Sequence, residues 1–262
     1  MEKTAQTTNQ SQEKKWKTAI AHANEKETLI RGYPLEEMIE TLSFTQAIYL
    51  VLKGELPSKN EEQMLNAIFV AAIEHSIAVP SAQAARIVFS GGNSLNTAVG
   101  SGIMALGDSH GGAIEQCAKL LQENKNKSAA EIVEEILKQK KVLPGFGHKV
   151  YKEEDPRAAK LFSIAKKLNI YGDFCKRTEE IQTEIEKQKG KKLCINIDGA
   201  IAAIMSEMNF NWKLGKGLFI IPRTAGLVAH VHEEWEREKP FRRLDEHEHS
   251  YDGKEKRKLT KE

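Results

Sequence analysis

The sequence is poor in the features that mark secreted, membrane-spanning or sheet-built proteins. It has three cysteines, Cys117, Cys175 and Cys194, widely spaced and with no CxxC pair. That excludes a disulfide framework and fits a reducing, cytoplasmic compartment. No apolar run approaches the roughly 20 residues needed to cross a bilayer. The opening stretch MEKTAQTTNQSQEKK is polar and lacks the apolar segment of a signal peptide; residues 1–20 are expected to form a mobile tail. Charge of one sign is not in excess, with 39 basic against 37 acidic side chains. There is therefore no electrostatic reason to expect binding to nucleic acid or to a membrane. No Asn-Gly type of two-residue turn joins alternating strands. Neither GxGxxG nor a P-loop lysine occurs, and HEEWE (His232 to Glu236) lacks the final histidine of HExxH, so no metal is expected.

What is present is helical patterning over 262 residues, enough for one large domain or two small ones with a sizeable core. GYPLEEMIETL predicts a helix with Pro34 in its first position and Glu36 and Glu37 in its first turn. Ser43 with Gln46, Ser58 with Glu61, and Ser128 with Glu131 have capping-box spacing, each ahead of an apolar periodic run. The second helix is predicted to stop at Gly54. Asp155 is a candidate N-cap with Pro156 just inside, and CINIDGAIAAIMSEM and GLFIIPRTAGLVAHVHEEWERE read as two further helices. The only strand candidate is LCINI. QENKNKS, from Gln122 to Ser128, is predicted to be a loop, and the residues after Gly253 to be frayed. The fold class expected is all-α, with no repeat of fixed period.

Three segments point to chemistry. In GDSHGGAIE, His110 stands before two glycines at a helix start, where the helix dipole favours the neutral imidazole. In LPGFGHKVYKEEDPRAAK, a Gly- and Pro-rich loop leads to His148 and then to Arg157 at a helix start. In INIDGA, Asp198 ends an apolar run just before a helix and is either a cap or a partly buried base. Taken together, two loop histidines, a carboxylate and several arginines suit acid–base chemistry on a polyanionic substrate. His247 and His249 read as solvated, and His230 and His232 do not share a helical face.

These segments also resemble the citrate synthase superfamily. RGYPLEEMIETLSFTQAIYLVLKGELP, TAVGSGIMALGDSHGGA, LPGFGHKVYKEEDPRA, INIDGA and IIPRTAGLVAHVHEEW follow one another in that family's order, from about Arg31 to about Arg243. The resemblance implies an all-α fold with a large helical domain, residues 1–110 and 205–262, and a smaller inserted helical domain, residues 111–204. It implies that Asp198 is the base toward the acetyl methyl, that His110 stabilises the enol, and that His148 polarises the oxaloacetate carbonyl. His75, Arg157 and Arg223 would bind oxaloacetate or its carboxylates. A further arginine, Arg242 or Arg243, would act across a dimer interface. Coenzyme A, as part of substrate and product and not as a prosthetic group, would lie along Leu143, Pro144, Gly145, Phe146, Gly147 and Lys149. The protein is expected to be a homodimer or higher homo-oligomer.

EHS at Glu74–Ser76, where the family usually reads like DHE, the NIDGA segment and the similarity beginning only near Arg31 depart from typical citrate synthases. SGGNSLNTAVGSGIMALGD, NIDGAIAA and the closing SYDG look more like citryl-CoA lyases and the C-terminal module of ATP-citrate lyases, which are also short. The function expected is therefore cleavage of citryl-CoA to acetyl-CoA and oxaloacetate. The alternatives are a short citrate or methylcitrate synthase, and a non-catalytic subunit that binds CoA or citrate.

Overall fold

The computed structural model describes residues 16–139 and 142–259; the expected tail at 1–20 thus lies mostly outside the described residues. They divide into two compact units, one up to Leu65 and one from Asn66 onward.

The first unit opens with a small antiparallel sheet of β1 (Ala21–Ala23), β2 (Thr28–Ile30) and β3 (Tyr33–Pro34), in that order. This corrects the expectation that no hairpin is present. Its two-residue turn is Arg31-Gly32, with φ of 52° and 87°. Glycine supplies one left-handed position freely. Arg31 holds the other against its steric cost by donating Nε and Nη2 to the Val51 carbonyl. No turn dipeptide announces that arrangement. Pro34 ends β3 and serves as the N-cap, so α1 (Leu35–Thr41) starts one residue later than predicted. Helix α2 (Phe44–Lys53) has the predicted box, Ser43 with Gln46, and stops at Gly54 with φ of 86°. Ser58 and Glu61 form the second reciprocal box at the start of α3 (Lys59–Ala72), and the Tyr49 hydroxyl donates to Glu61 at 2.6 Å.

The second unit, from Asn66, takes in the end of α3 and eight more helices among the described residues: α4 (Pro80–Ser90), α5 (Leu95–Met104), α6 (Ala113–Glu123), α7 (Ala129–Lys138), α8 (Pro156–Lys167), α9 (Asp173–Lys189), α10 (Ile197–Glu207) and α11 (Gly215–Arg237). Helices α4, α5 and α11 pack together around Ala85, Ala98, Val99, Leu227 and Val231. Helix α10 is apolar on every face, and each residue from Gly199 to Ser206 is buried. A helix apolar all round has to be internal, and α10 packs against α6, α8 and α9. The third capping box, Ser128 with Glu131, and the Asp155 cap of α8 are as predicted. Two boundaries differ: α6 runs on to Glu123, shortening the predicted loop, and LCINI forms only a single bridge, Ile195 to Phe146. The class remains all-α. No helix among the described residues is long and apolar enough to cross a membrane.

Candidate active site

The start of α10 organises the site. Asn196 is its N-cap, and its side-chain oxygen accepts from the N–H groups of Asp198 and Gly199 at 3.0 and 3.1 Å. Asp198 is therefore not the cap. With the capping role filled, its carboxylate turns into a cavity of about 180 Å³ that His75, His110, His148, Arg157 and Arg223 also line. Burial pushes Asp198 up to about 6, with Arg157 pulling the other way. A carboxyl group so placed can both take and return a proton near neutral pH.

The loop before α10 and the glycine loop are sewn together. Asn196 N–H donates to the Gly145 carbonyl at 3.0 Å, Gly147 N–H to the Cys194 carbonyl at 2.7 Å, and Asn196 Nδ2 to the Gly147 carbonyl at 2.9 Å. Gly145 and Gly147 have φ of 85° and 82°. A Cβ on Gly145 would sit 2.7 Å from Gly199 Cα, and one on Gly199 would collide with the Gly145 carbonyl. Leu143, Gly145 and Phe146 are buried, Pro144 and Gly147 half-buried, and Lys149 exposed.

This loop delivers His148. Its Nδ1 accepts from the N–H groups of Val150 and Tyr151 at 3.1 and 3.0 Å, and its ring stacks on Tyr151. A neutral imidazole that accepts at Nδ1 carries its proton on Nε2. Burial holds His148 below its ordinary value, Asp155 opposes this and Arg157 adds to it, so the neutral form is favoured. Nε2 lies 3.3 Å from Arg157 Nη2. Two donors facing each other at that distance call for an acceptor oxygen that both can reach. Arg157 is itself fixed by Asp155, fully buried, which takes its Nε and Nη2 at 3.0 and 2.8 Å and also the Ile197 N–H at 3.1 Å.

Arg223, on α11, is buried, and its Nε and Nη2 donate to the Ala72 carbonyl at the end of α3. Its Nη1 is buried without a hydrogen-bond partner. Buried guanidinium nitrogens are rarely left so, and a ligand carboxylate would satisfy it. His110 sits in the turn ahead of α6, its Nε2 2.9 Å from the buried Ser81 hydroxyl. Burial, then Arg223 and His75, hold it below its ordinary value, which keeps it neutral. His75 is exposed, with Nδ1 3.5 Å from Arg157 Nη1.

The cavity thus gathers six of the residues singled out from the sequence. It does not include Arg242 or Arg243. The Arg242 guanidinium is engaged by Glu234 at 3.0 and 2.8 Å and by Glu238 at 3.2 Å, while Arg243 is exposed. Sequence reading missed Ser81, Glu74 and Asn196. Asparagine ahead of an apolar helix is a strong capping signal and could have been read. Nothing in the spacing marks Ser81.

The family profile described as "Citrate synthase, C-terminal domain" matches residues 57–244. The chain belongs to the citrate synthase family. It is similar to the citryl-CoA lyase of Hydrogenobacter thermophilus at 52% identity, with a TM-score of 0.91 over 94% of this chain and 98% of that one. It is also similar to the citrate/2-methylcitrate synthase of Bacillus subtilis (strain 168), 33% identical over 78% of this chain. The chain spans 56% of that relative's length and 61% of Bacillus subtilis citrate synthase 2. The structure of ATP citrate lyase from Methanothrix soehngenii in complex with citrate and coenzyme A has the same fold at 20% identity, with a TM-score of 0.79 over 93% of this chain and 42% of that one. The helical, citrate synthase-like fold is the one expected from the sequence.

Proposed function

We propose that this family member is a citryl-CoA lyase. The observation that carries the choice is the likeness, over nearly the full length of both chains, to the Hydrogenobacter thermophilus citryl-CoA lyase. The cavity supports the chemistry. Citryl-CoA would lie with its citrate carboxylates on Arg157 and Arg223 and its hydroxyl oxygen toward His148 Nε2 and Arg157 Nη2. When the hydroxyl proton leaves to solvent, those two donors stabilise the alkoxide. The carbon–carbon bond then breaks, giving the oxaloacetate carbonyl and the acetyl-CoA enolate. His110, neutral and held by Ser81, donates to the enolate oxygen, and Asp198 returns a proton to the acetyl carbon. The tautomer of His148 makes it a donor and not the acceptor of the hydroxyl proton. CoA would run along the Leu143–Lys149 loop, and the reaction uses no prosthetic group.

We also propose that residues 111–204 form the smaller domain, supplying His148, Arg157 and Asp198. Residues 1–110 and 205–262 would form the larger one, supplying His75, His110 and Arg223. Arg242 is held by glutamates, so Arg243 is the better candidate for the arginine offered to a second copy of the chain, in a cytoplasmic homo-oligomer. A second reading, citrate or 2-methylcitrate synthase, is favoured by the names of the curated relatives. The two are separated by giving the protein citryl-CoA without ATP. Release of oxaloacetate and acetyl-CoA is expected; release of citrate and free CoA would support the synthase. Binding of CoA with no turnover in either direction would return the non-catalytic subunit.

A further inference from the structure

His75 enters the cavity from the turn between α3 and α4, and that turn is an improbable place for a well-placed ligand. It is exposed, and Ser76 has φ of 72°, a left-handed conformation that is strained for a non-glycine residue. Something outside the turn has to fasten it. Within the turn, Ala78 N–H donates to Ser76 Oγ at 3.2 Å.

The fastening comes from α11. Glu74 Oε1 accepts the backbone N–H of His75 at 2.7 Å and also faces His230 Nε2 at 3.0 Å. An ionised carboxylate only accepts, so His230 donates through Nε2. Burial works against the Glu74 charge, but the hydrogen bonds from His230 and His75 hold it below the usual carboxylate range. It is therefore ionised near neutral pH. The carboxylate reaches His230 because residue 226 is glycine: a Cβ there would collide with Glu74 Oε2 and with the Ile73 carbonyl. Arg223, Gly226 and His230 stand at i, i+3 and i+7 and so share one face of α11. One rigid face thus presents the cavity arginine, a notch and an imidazole. Glu74 bridges from that face to the N–H of the residue that lines the cavity.

We propose that Glu74 is a positioning residue for His75, clamped by His230 through the notch at Gly226, so that His230 governs oxo-acid affinity without touching the ligand. The inference rests on the reading that His75 contacts the oxaloacetate part of the substrate.

The test uses the full chain and three variants, His230→Ala, His230→Gln and Glu74→Gln. Glutamine at 230 keeps a donor at nearly the reach of Nε2; alanine does not. Calorimetry with oxaloacetate alone and with CoA alone gives the first readout. His230→Ala is expected to weaken oxaloacetate by about tenfold or more, the usual size for a lost hydrogen bond to a charged group. Glu74→Gln keeps an oxygen that both donors can reach but removes its charge, and is expected to weaken oxaloacetate by less. CoA binding should stay unchanged, and His230→Gln should recover most of the loss.

The second readout needs no ligand: titration of the His75 ring followed by nitrogen-15 NMR. Burial, then Arg157 and Arg223, hold His75 below its ordinary value and the negative charge of Glu74 opposes them, so Glu74→Gln is expected to lower its midpoint further. Folded His230→Ala should displace the His75 resonances, and folded His230→Gln should return them. If oxaloacetate affinity and His75 resonances are the same in folded His230→Ala and Glu74→Gln as in the parent, the proposal is overturned. If the parent binds neither oxaloacetate nor CoA, the functional reading fails, and the NMR arm still decides: displaced His75 resonances support the clamp and unmoved ones refute it. If His230→Ala does not fold, Glu74→Gln decides in the same way.

Discussion

Asp198 is held in conflict with its surroundings. Its helix is already capped by Asn196, so the carboxylate gains no backbone donors from that role. Burial raises its proton affinity from the ordinary 3.8 to about 6. A group whose folded-state value is raised contributes stability below its unfolded value and loses it as pH rises through the folded value. Wild-type protein is therefore expected to lose stability between about pH 4 and pH 7 through this group. Asp198→Asn removes the buried charge. At about 1.4 kcal/mol for each tenfold change in proton affinity, the variant is predicted to be more stable by about 2–3 kcal/mol at pH 8 and nearly equal to wild type at pH 3.5. Urea melts at the two pH values check this. The two directions of the reaction share one transition state, and in cleavage the hydroxyl proton is lost to solvent before the carbon–carbon bond breaks. The same carboxyl therefore gives both directions the same pH dependence of kcat/KM. Condensation needs the ionised form, so both are predicted to rise with pH through about 6. A matched pair of pH–rate profiles tests the assignment.

At the scale of elements, the junction of α10 with the Leu143–Gly147 loop has no slack. Gly199→Ala would drive a methyl into the Gly145 carbonyl. Such overpacking costs about 1–3 kcal/mol, and the strain falls on the loop proposed to hold CoA. The variant is predicted to lose CoA affinity more than oxaloacetate affinity, as separate calorimetric titrations would reveal. Asn196→Ala should lower stability by about 1–2 kcal/mol through the lost cap, with the same bias against CoA.

The helices were legible in the sequence because capping boxes and apolar periodicity are local signals; all three boxes and the Asp155 cap formed as read. The β2–β3 hairpin was not. Its turn depends on Arg31 reaching a carbonyl twenty residues away, which no dipeptide rule encodes. The site divides in the same way. His110, His148, Arg157 and Asp198 sit at element boundaries that punctuation residues mark. Ser81 and the Glu74–His230 pair depend on contacts between distant segments. Sequence alone sets His230 beside His232, which does not share its helical face; the glycine notch that gives it a partner, Glu74, appears only when α11 packs on the turn.

At the scale of the whole molecule, Arg242 is bound by Glu234, which also takes Arg86 Nε at 2.6 Å. That leaves Arg243 exposed and, on the proposed function, available to a second copy. A dimer that shares sites predicts complementation. Asp198→Asn and Arg243→Ala chains, each inactive alone, are expected to give about a quarter of wild-type activity after mixing and reassembly, since half the dimers are then mixed and each holds one intact site. Continued inactivity of the mixture would put Arg243 to work within its own chain.

The central claim is that Asp198 moves a proton to and from the acetyl carbon, whichever direction the enzyme runs. Solvent exchange tests it without a full turnover. Acetyl-CoA is incubated with the protein in heavy water, with malate in place of the oxo-acid so that no carbon–carbon bond can form. Deuterium entering the acetyl methyl is followed by NMR. Wild type is predicted to exchange the methyl protons. Asp198→Asn is predicted to bind CoA normally and exchange them more slowly by about 10² to 10⁴, the usual loss when a general base is removed. Exchange at a near-normal rate in folded Asp198→Asn would contradict the account.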